Sequence, residues 1–293
     1  GAGADLTLSG GTFQTKNESA YVIGVAETAT AEVSGGSFPG ATETQVVNNT
    51  SAFKEGYGVV TNQDGTVSVG VTDESAEAVV IARDGSSTNY LTLSAAAKAA
   101  PAGSTIRLQN DVVLTSGVST VNYGVTIDLN GHNIDGTAVT SSDGAVVLKT
   151  NYSSKPVDGV DSTMRLINSV SGQGGTIKAK LPVSVKAGDS KIPLPAEIGE
   201  NVTLQVLEGG TDAVKLSSSA YLNYSETAAG YIKNGGFKVT ASDGDRIYGI
   251  YANAAGASSD GVVTLMNDYT GSEKISSGSH SSTLNLAGKT YTY

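Results

Sequence analysis

The chain of 293 residues has no cysteine and no tryptophan, and only two methionines, two histidines and six prolines. Without cysteine there is no disulfide, no thiolate zinc site and no cysteine nucleophile. His132 and His280 are too few for an evident histidine metal cluster, and no serine-nucleophile motif supports Ser-His-Asp catalysis. Positive charge is also scarce: 18 Lys and Arg stand against 28 Asp and Glu, for a net charge of -10. The average field therefore repels nucleic acid. No apolar run approaches the roughly 20 residues of a membrane-spanning helix. The N-terminus opens Gly1-Ala-Gly without a signal pattern, so the sequence is expected to be part of a longer repeat chain.

What is abundant is glycine, at 37 residues, mixed with Ser, Thr, Val and Ala. That mix suits many short strands joined by tight turns, and it predicts an all-β protein. Two stretches near the start repeat at a spacing of 25 residues, Leu6-Thr-Leu-Ser-Gly-Gly-Thr-Phe13 and Ala31-Glu-Val-Ser-Gly-Gly-Ser-Phe38. An alternating strand, a Gly-Gly turn and an inward Phe at that period is the trace of stacked rungs in a parallel β-solenoid. Echoes occur at Gly174-Gly-Thr-Ile177 and Gly235-Gly-Phe237. Tyr21-Val-Ile-Gly-Val25 and Tyr248-Gly-Ile-Tyr251 repeat a companion element.

A longer match lies at an offset of 157, where Ile106–Ile134 aligns without a gap onto Val263–Tyr291 with seven identities. Leu108, Asn110 and Asp111 meet Leu265, Asn267 and Asp268, and Leu129 and Gly131 meet Leu286 and Gly288. Both copies end in an alternating strand, Thr126-Ile-Asp-Leu-Asn-Gly131 and Thr283-Leu-Asn-Leu-Ala-Gly288. One segment reads as a helix, near residues 91–100, with Ser94 as its expected N-cap and Pro101-Ala-Gly103 as its stop. It lies between strands and would cover the first coil of a solenoid starting near residue 76. Gly56 to Val69 reads as a hairpin turning at Asp64-Gly65. Residues 1–75 are therefore assigned to the end of a preceding β-rich unit, and 76–293 to a parallel β-helix. Residues 181–216, with Pro182, Pro193, Pro195 and the acidic stretch Glu197 to Glu200, are expected to leave the coil as an insertion.

The runs Ala78-Val-Val-Ile-Ala-Arg-Asp-Gly85, Tyr90-Leu-Thr-Leu-Ser-Ala-Ala-Ala-Lys-Ala-Ala100, Gly103-Ser-Thr-Ile-Arg-Leu-Gln-Asn-Asp-Val-Val-Leu114 and Gly124-Val-Thr-Ile-Asp-Leu-Asn-Gly-His132 resemble the start of a pectate-lyase-like right-handed parallel β-helix. They are similar to the versions found in large repeat-containing surface and adhesin-like proteins of gut bacteria. The resemblance implies a secreted or cell-surface protein that binds host glycan or surface protein. It does not choose among the lyases, hydrolases, tailspikes and adhesins that share the fold.

No catalytic residue is assigned. A lyase would need clustered carboxylates for calcium and a convergent cation, and Arg83, Arg107, Arg165 and Arg246 show no convergence in sequence. The acid pairs Asp158 with Asp161 and Asp243 with Asp245 are candidate calcium ligands, as is Asp128 with Asp135, although Gly and Ser neighbours fit turn chemistry better. Tyr221, Tyr224, Tyr231, Tyr248 and Tyr251 are candidate sugar-binding platforms, weighed against packing between coils. Three functions remain: a non-catalytic binding module, a polysaccharide lyase or glycoside hydrolase, and a ligand-free spacer.

Overall fold

The computed structural model describes residues 5–17, 19–151, 153, 155–188, 192–207, 212–272, 274–276 and 278–293. The fold is mostly β, and most of its strand pairs are parallel.

The first strands are β1 (Asp5–Thr12), β2 (Thr30–Phe38), β3 (Tyr57–Thr61) and β4 (Val67–Val71). Strands β1 and β2 pair in parallel with Leu6 on Ala31 and Leu8 on Val33, the register that the 25-residue repeat predicts. Phe13 stacks on Phe38 with ring centroids 5.6 Å apart. Gly35 permits the close approach, because a Cβ there would lie 2.3 Å from the Ser9 carbonyl oxygen. The predicted hairpin forms between β3 and β4, with Gly65 at φ +79° and the Asp64 carboxylate accepting the Thr66 N–H. A separate small core around Val33, Phe38, Val46 and Val69 holds this region together.

A second hairpin, β5 (Ala78–Ile81) with β6 (Ser87–Tyr90), leads into α1 (Leu93–Ala99). Its N-cap is Thr92 rather than Ser94: the Thr92 hydroxyl accepts the Ala95 N–H at 3.1 Å, and the Glu77 carboxylate accepts that of Leu93 at 2.8 Å. Leu93, Ala96 and Ala97 face inward and are fully buried.

The chain then visits three parallel sheets in turn. It passes β7 (Thr105–Leu108), β8 (Val112–Val113) and β9 (Val118–Ser119), then β10 (Thr126–Asp128), β11 (Ile134–Gly136) and β12 (Val146–Lys149). A third round is β13 (Met164–Ile167), β14 (Thr176–Ala179) and β15 (Val183–Lys186), and a fourth is β16 (Leu194–Ile198), β17 (Thr203–Val206) and β18 (Val214–Leu216). Each strand pairs in parallel with its counterpart one round earlier. Like therefore stacks on like: Ile106, Ile127, Leu166 and Ile198 form one column, and Val112, Ile134, Ile177 and Leu204 form another. Each such side chain taken out of water contributes about 1.5–3 kcal/mol before ordering costs.

Residues 181–216, expected as an insertion, instead supply β15 to β18, all in register; residues 189–191 and 208–211 of that stretch lie outside the described residues. Proline misled the reading. Pro195 pairs only with Tyr221 of β19 (Ala220–Asn223), and the first β16 partner on β13 is Ala196, so its missing N–H interrupts no ladder.

After β19 come α2 (Glu226–Gly230) and a third hairpin, β20 (Phe237–Ala241) with β21 (Gly244–Tyr248), followed by α3 (Tyr251–Ala257). Among the described residues the fold thus holds two short α-helices beyond the single one expected. Gly235-Gly-Phe237, expected as a rung, enters this antiparallel hairpin, whereas Gly174-Gly-Thr-Ile177 does lead into a parallel strand. Strands β22 (Val262–Leu265), β23 (Tyr269–Thr270), β24 (Thr283–Asn285) and β25 (Tyr291–Thr292) complete the chain.

Hairpin, helix and strand here repeat β5, β6, α1 and β7. Phe237 faces Leu265 as Ala78 faces Leu108, and Val263 pairs with Leu284 as Ile106 pairs with Ile127. Tyr251, Ala254 and Ala255 are buried on α3 as Leu93, Ala96 and Ala97 are on α1. The second unit grows directly from the first, because β21 pairs antiparallel with β19. Ile247 joins the large first core and its neighbour Tyr248 joins the core of the second unit, so the two cores lie on opposite faces of β21.

Candidate functional site

Of the five candidate tyrosines, two meet. Tyr221 and Tyr248 are cross-strand partners on β19 and β21, with ring centroids 5.3 Å apart. Arg246, two residues before Tyr248 and hence on the same face, lies 4.4 Å over the Tyr221 ring. Its guanidinium also donates to both Asp243 carboxylate oxygens at 2.6 and 2.7 Å and to the Tyr248 hydroxyl at 3.4 Å. Both rings are buried, and burial pushes both phenols above their ordinary range.

The outward face of β13 and β16 continues this patch. Arg165 donates to Glu197 at 3.1 Å and forms an ion pair with Asp161. Burial works to raise the Asp161 carboxyl, but the Arg165 guanidinium and the Thr163 hydroxyl and N–H outweigh it and hold its pKa at about 2. Arg165 and Arg246 thus hold two separate polar groups, one with Asp161 and Glu197 and one with Asp243 and Tyr248, and the charge of Asp161 is felt at Tyr221. Beside it, Lys238 sits 3.7 Å over the Tyr224 ring and 2.9 Å from Asp245, which also accepts the Thr240 hydroxyl. Hydrogen bonds from Lys238 and Thr240 lower the Asp245 pKa. The hydroxyl of Tyr224 donates to Glu226 at 2.7 Å, the main reason its pKa rises.

The remaining candidates lie elsewhere. Tyr251 is buried against Phe237 at 5.7 Å, its hydroxyl 2.9 Å from that of Ser282. Tyr231 packs against the first core and donates to the Val202 carbonyl. Asp158 lies exposed in a turn whose next residue, Gly159, accepts a hydrogen bond from Arg83 at 3.0 Å. Asp128 is buried and caps the Asn130 and Ser169 N–H groups, whereas Asp135 caps Thr137. Among the described residues, no three His, Asp or Glu side chains gather as a metal site.

Tyr221 and Tyr224 thus lie under cations, Tyr248 hydrogen-bonds Arg246, Tyr231 and Tyr251 are packed against core residues, and Asp161, Asp243 and Asp245 have cationic partners. Among the described residues, every Asp whose pKa departs from its ordinary value moves down, opposite to the rise a general acid needs. Alternation on β21 was the signal that could have linked Arg246 to Tyr248; nothing in sequence brings Lys238 to Tyr224.

Two depressions accompany the second unit. One of about 170 Å³ lies in the seam between units, lined by Asp212, Lys215, Ile232, Asn234, Tyr248 and Tyr269. A wider one of about 590 Å³ is lined by Lys274, Ile275, Tyr291, Thr292 and Tyr293. No helix is long and apolar enough to cross a membrane among the described residues. No protein-family model, curated protein or solved structure matches this chain.

Proposed function

We propose that this chain is a non-catalytic repeat module of a secreted or cell-surface bacterial protein, binding host glycan or surface protein along its outer faces. In this reading the three parallel sheets are the faces of a right-handed β-helix of the pectate-lyase-like kind, used as an adhesin or as the stalk that carries one. The carrying observation is tandem construction: a hairpin, helix and strand begin a second unit on β19, the last strand of the first. Each unit buries its own core, so side chains on the outer faces are free to vary for recognition. Cationic partners on four of the six candidate acids, and downward pKa shifts wherever carboxyls shift, favour binding over sugar cleavage.

The test is a glycan and mucin array with the purified chain, run beside an absorbance assay for unsaturated product on pectin and other uronate polymers. Saturable binding without product is expected. Product formation would make the chain a lyase, and silence in both assays would make it a spacer.

A further inference from the structure

Three lysines of this acidic chain share the outward face of the sheet formed by β9, β12, β15 and β18. Val146, Leu148, Val183, Val185 and Val214 point into the first core. By strand alternation, Lys149, Lys186 and Lys215 point outward from three successive strands. Lys149 is the direct parallel partner of Lys186, one strand spacing of about 4.8 Å away at the backbone. Lys215 is the partner of Ser184, one alternation step along the same face.

Like charges stacked on neighbouring strands destabilise a sheet. Asp143, in the turn before β12, answers them: it forms an ion pair with Lys186 and also feels Lys149 and Lys215. The Ser184 hydroxyl, buried on this outward face, donates to the Asp143 carbonyl oxygen at 2.7 Å and ties that turn to the sheet. Neither Lys149 nor Lys215 has an ion-pair partner among the described residues. Among the described residues the three ammonium groups thus have one ion pair between them, a cationic strip on a chain whose net charge is -10.

We propose that Lys149, Lys186 and Lys215 form a binding strip for an acidic polysaccharide, recognising the sulfate or carboxylate groups along its chain. The strip deepens the binding function proposed above and rests on it. A row of flexible ammonium groups on neighbouring strands suits a polymer with repeated anionic groups better than one small ligand, because several modest contacts then act on one molecule. Asp143 acts as an internal competitor that holds Lys186 in place when no ligand is bound.

The test measures affinity of the full chain for a size-defined heparin oligosaccharide, for polygalacturonate and for neutral dextran, at about 0.15 M salt and above. Binding to one or both polyanions, weakening with salt and absent for dextran, is expected; the two polyanion arms separate sulfate from carboxylate recognition. The triple variant K149Q/K186Q/K215Q should lose on the order of tenfold in affinity or more, with its circular dichroism unchanged. The charge-matched control K98Q/K178Q/K289Q should retain binding, and Asp143→Asn should tighten it by freeing Lys186. No polyanion binding, equal loss in the control, or weaker binding by Asp143→Asn would overturn the strip. If mucin glycans still bind on the array, the strip alone fails; if nothing binds, the binding function fails with it.

Discussion

A phenol hydroxyl sealed from water without a partner destabilises the fold that holds it, and Tyr123 carries one. Its ring is fully buried in the first core, and its hydroxyl has no hydrogen-bond partner among the described residues. Tyr123→Phe removes the unsatisfied group while keeping the ring, so it is expected to stabilise the protein by about 1 kcal/mol. Urea unfolding with an unchanged m-value would read that gain, and a loss of stability would reveal a partner for the hydroxyl. Asp161 is the converse case, a carboxylate with better partners in the fold than in water. Its folded pKa, about 2, lies below its ordinary 3.8, so its contribution is fully present above that ordinary value and fades as pH falls toward 2. The carboxyl is well exposed, which shrinks the effect by solvent screening. Comparing Asp161→Asn with the parent should show a stability deficit above pH 4 that closes as pH drops to about 2. Replacing Arg165 by Gln should return the Asp161 titration, followed by NMR, toward 3.8.

Turns between strands carry the clearest sign that the two units are copies, and they also show what a sequence can and cannot reveal. Asn130 has φ 49° and Ala287, the residue 157 positions later, has φ 47°. Each is preceded by a side chain that caps it: Asp128 accepts the Asn130 N–H at 2.9 Å and Asn285 accepts that of Ala287 at 3.0 Å. Asn130 tolerates this backbone and donates its side-chain amide to the Leu108 carbonyl at 2.9 Å, whereas Ala287 is strained and has no such group. Ala287→Asn is therefore expected to stabilise the second unit by about 1 kcal/mol, with a new bond to the Leu265 carbonyl. Hydrogen exchange at 283–293 would slow if that bond forms. The matched Leu, Asn, Asp and Gly positions made this corner legible because core and turn residues cannot drift freely. The strands of 181–216 were hidden because Pro182 and Pro193 stand just before strands and Pro195 sits where β13 makes no pair with it. The Tyr–Arg patch was only half legible: alternation places Arg246 with Tyr248, but Tyr221 joins them through a pairing between β19 and β21 that no local pattern announces.

At the scale of the molecule, two units of unequal completeness share one seam, and stability should be graded across it. Strands β10 and β13 have a parallel partner on each side, and Ile127 and Leu129 are fully buried. Their counterparts on β24 have a partner on one side only, and Leu286 is 43% exposed where Leu129 is 0%. Opening the last strands therefore exposes little new apolar surface, while opening β10 or β13 breaks two ladders and the large core. Native-state hydrogen exchange should release 283–293 first, then β20 to β22, and β10 through β16 last. The seam decides whether these steps are coupled. Tyr221 and Tyr248 belong to the second core yet stand on strands that also wall the first through Leu222 and Ile247. Tyr221→Ala should remove ring stacking and the Arg246 contact, costing about 3–5 kcal/mol locally. If the units are coupled only through this seam, protection should fall throughout 237–265 and stay near its parental level in β7 to β13. A uniform fall across both units would instead mean that the two cores fold as one, with the β19–β21 pairing too strong to open by itself.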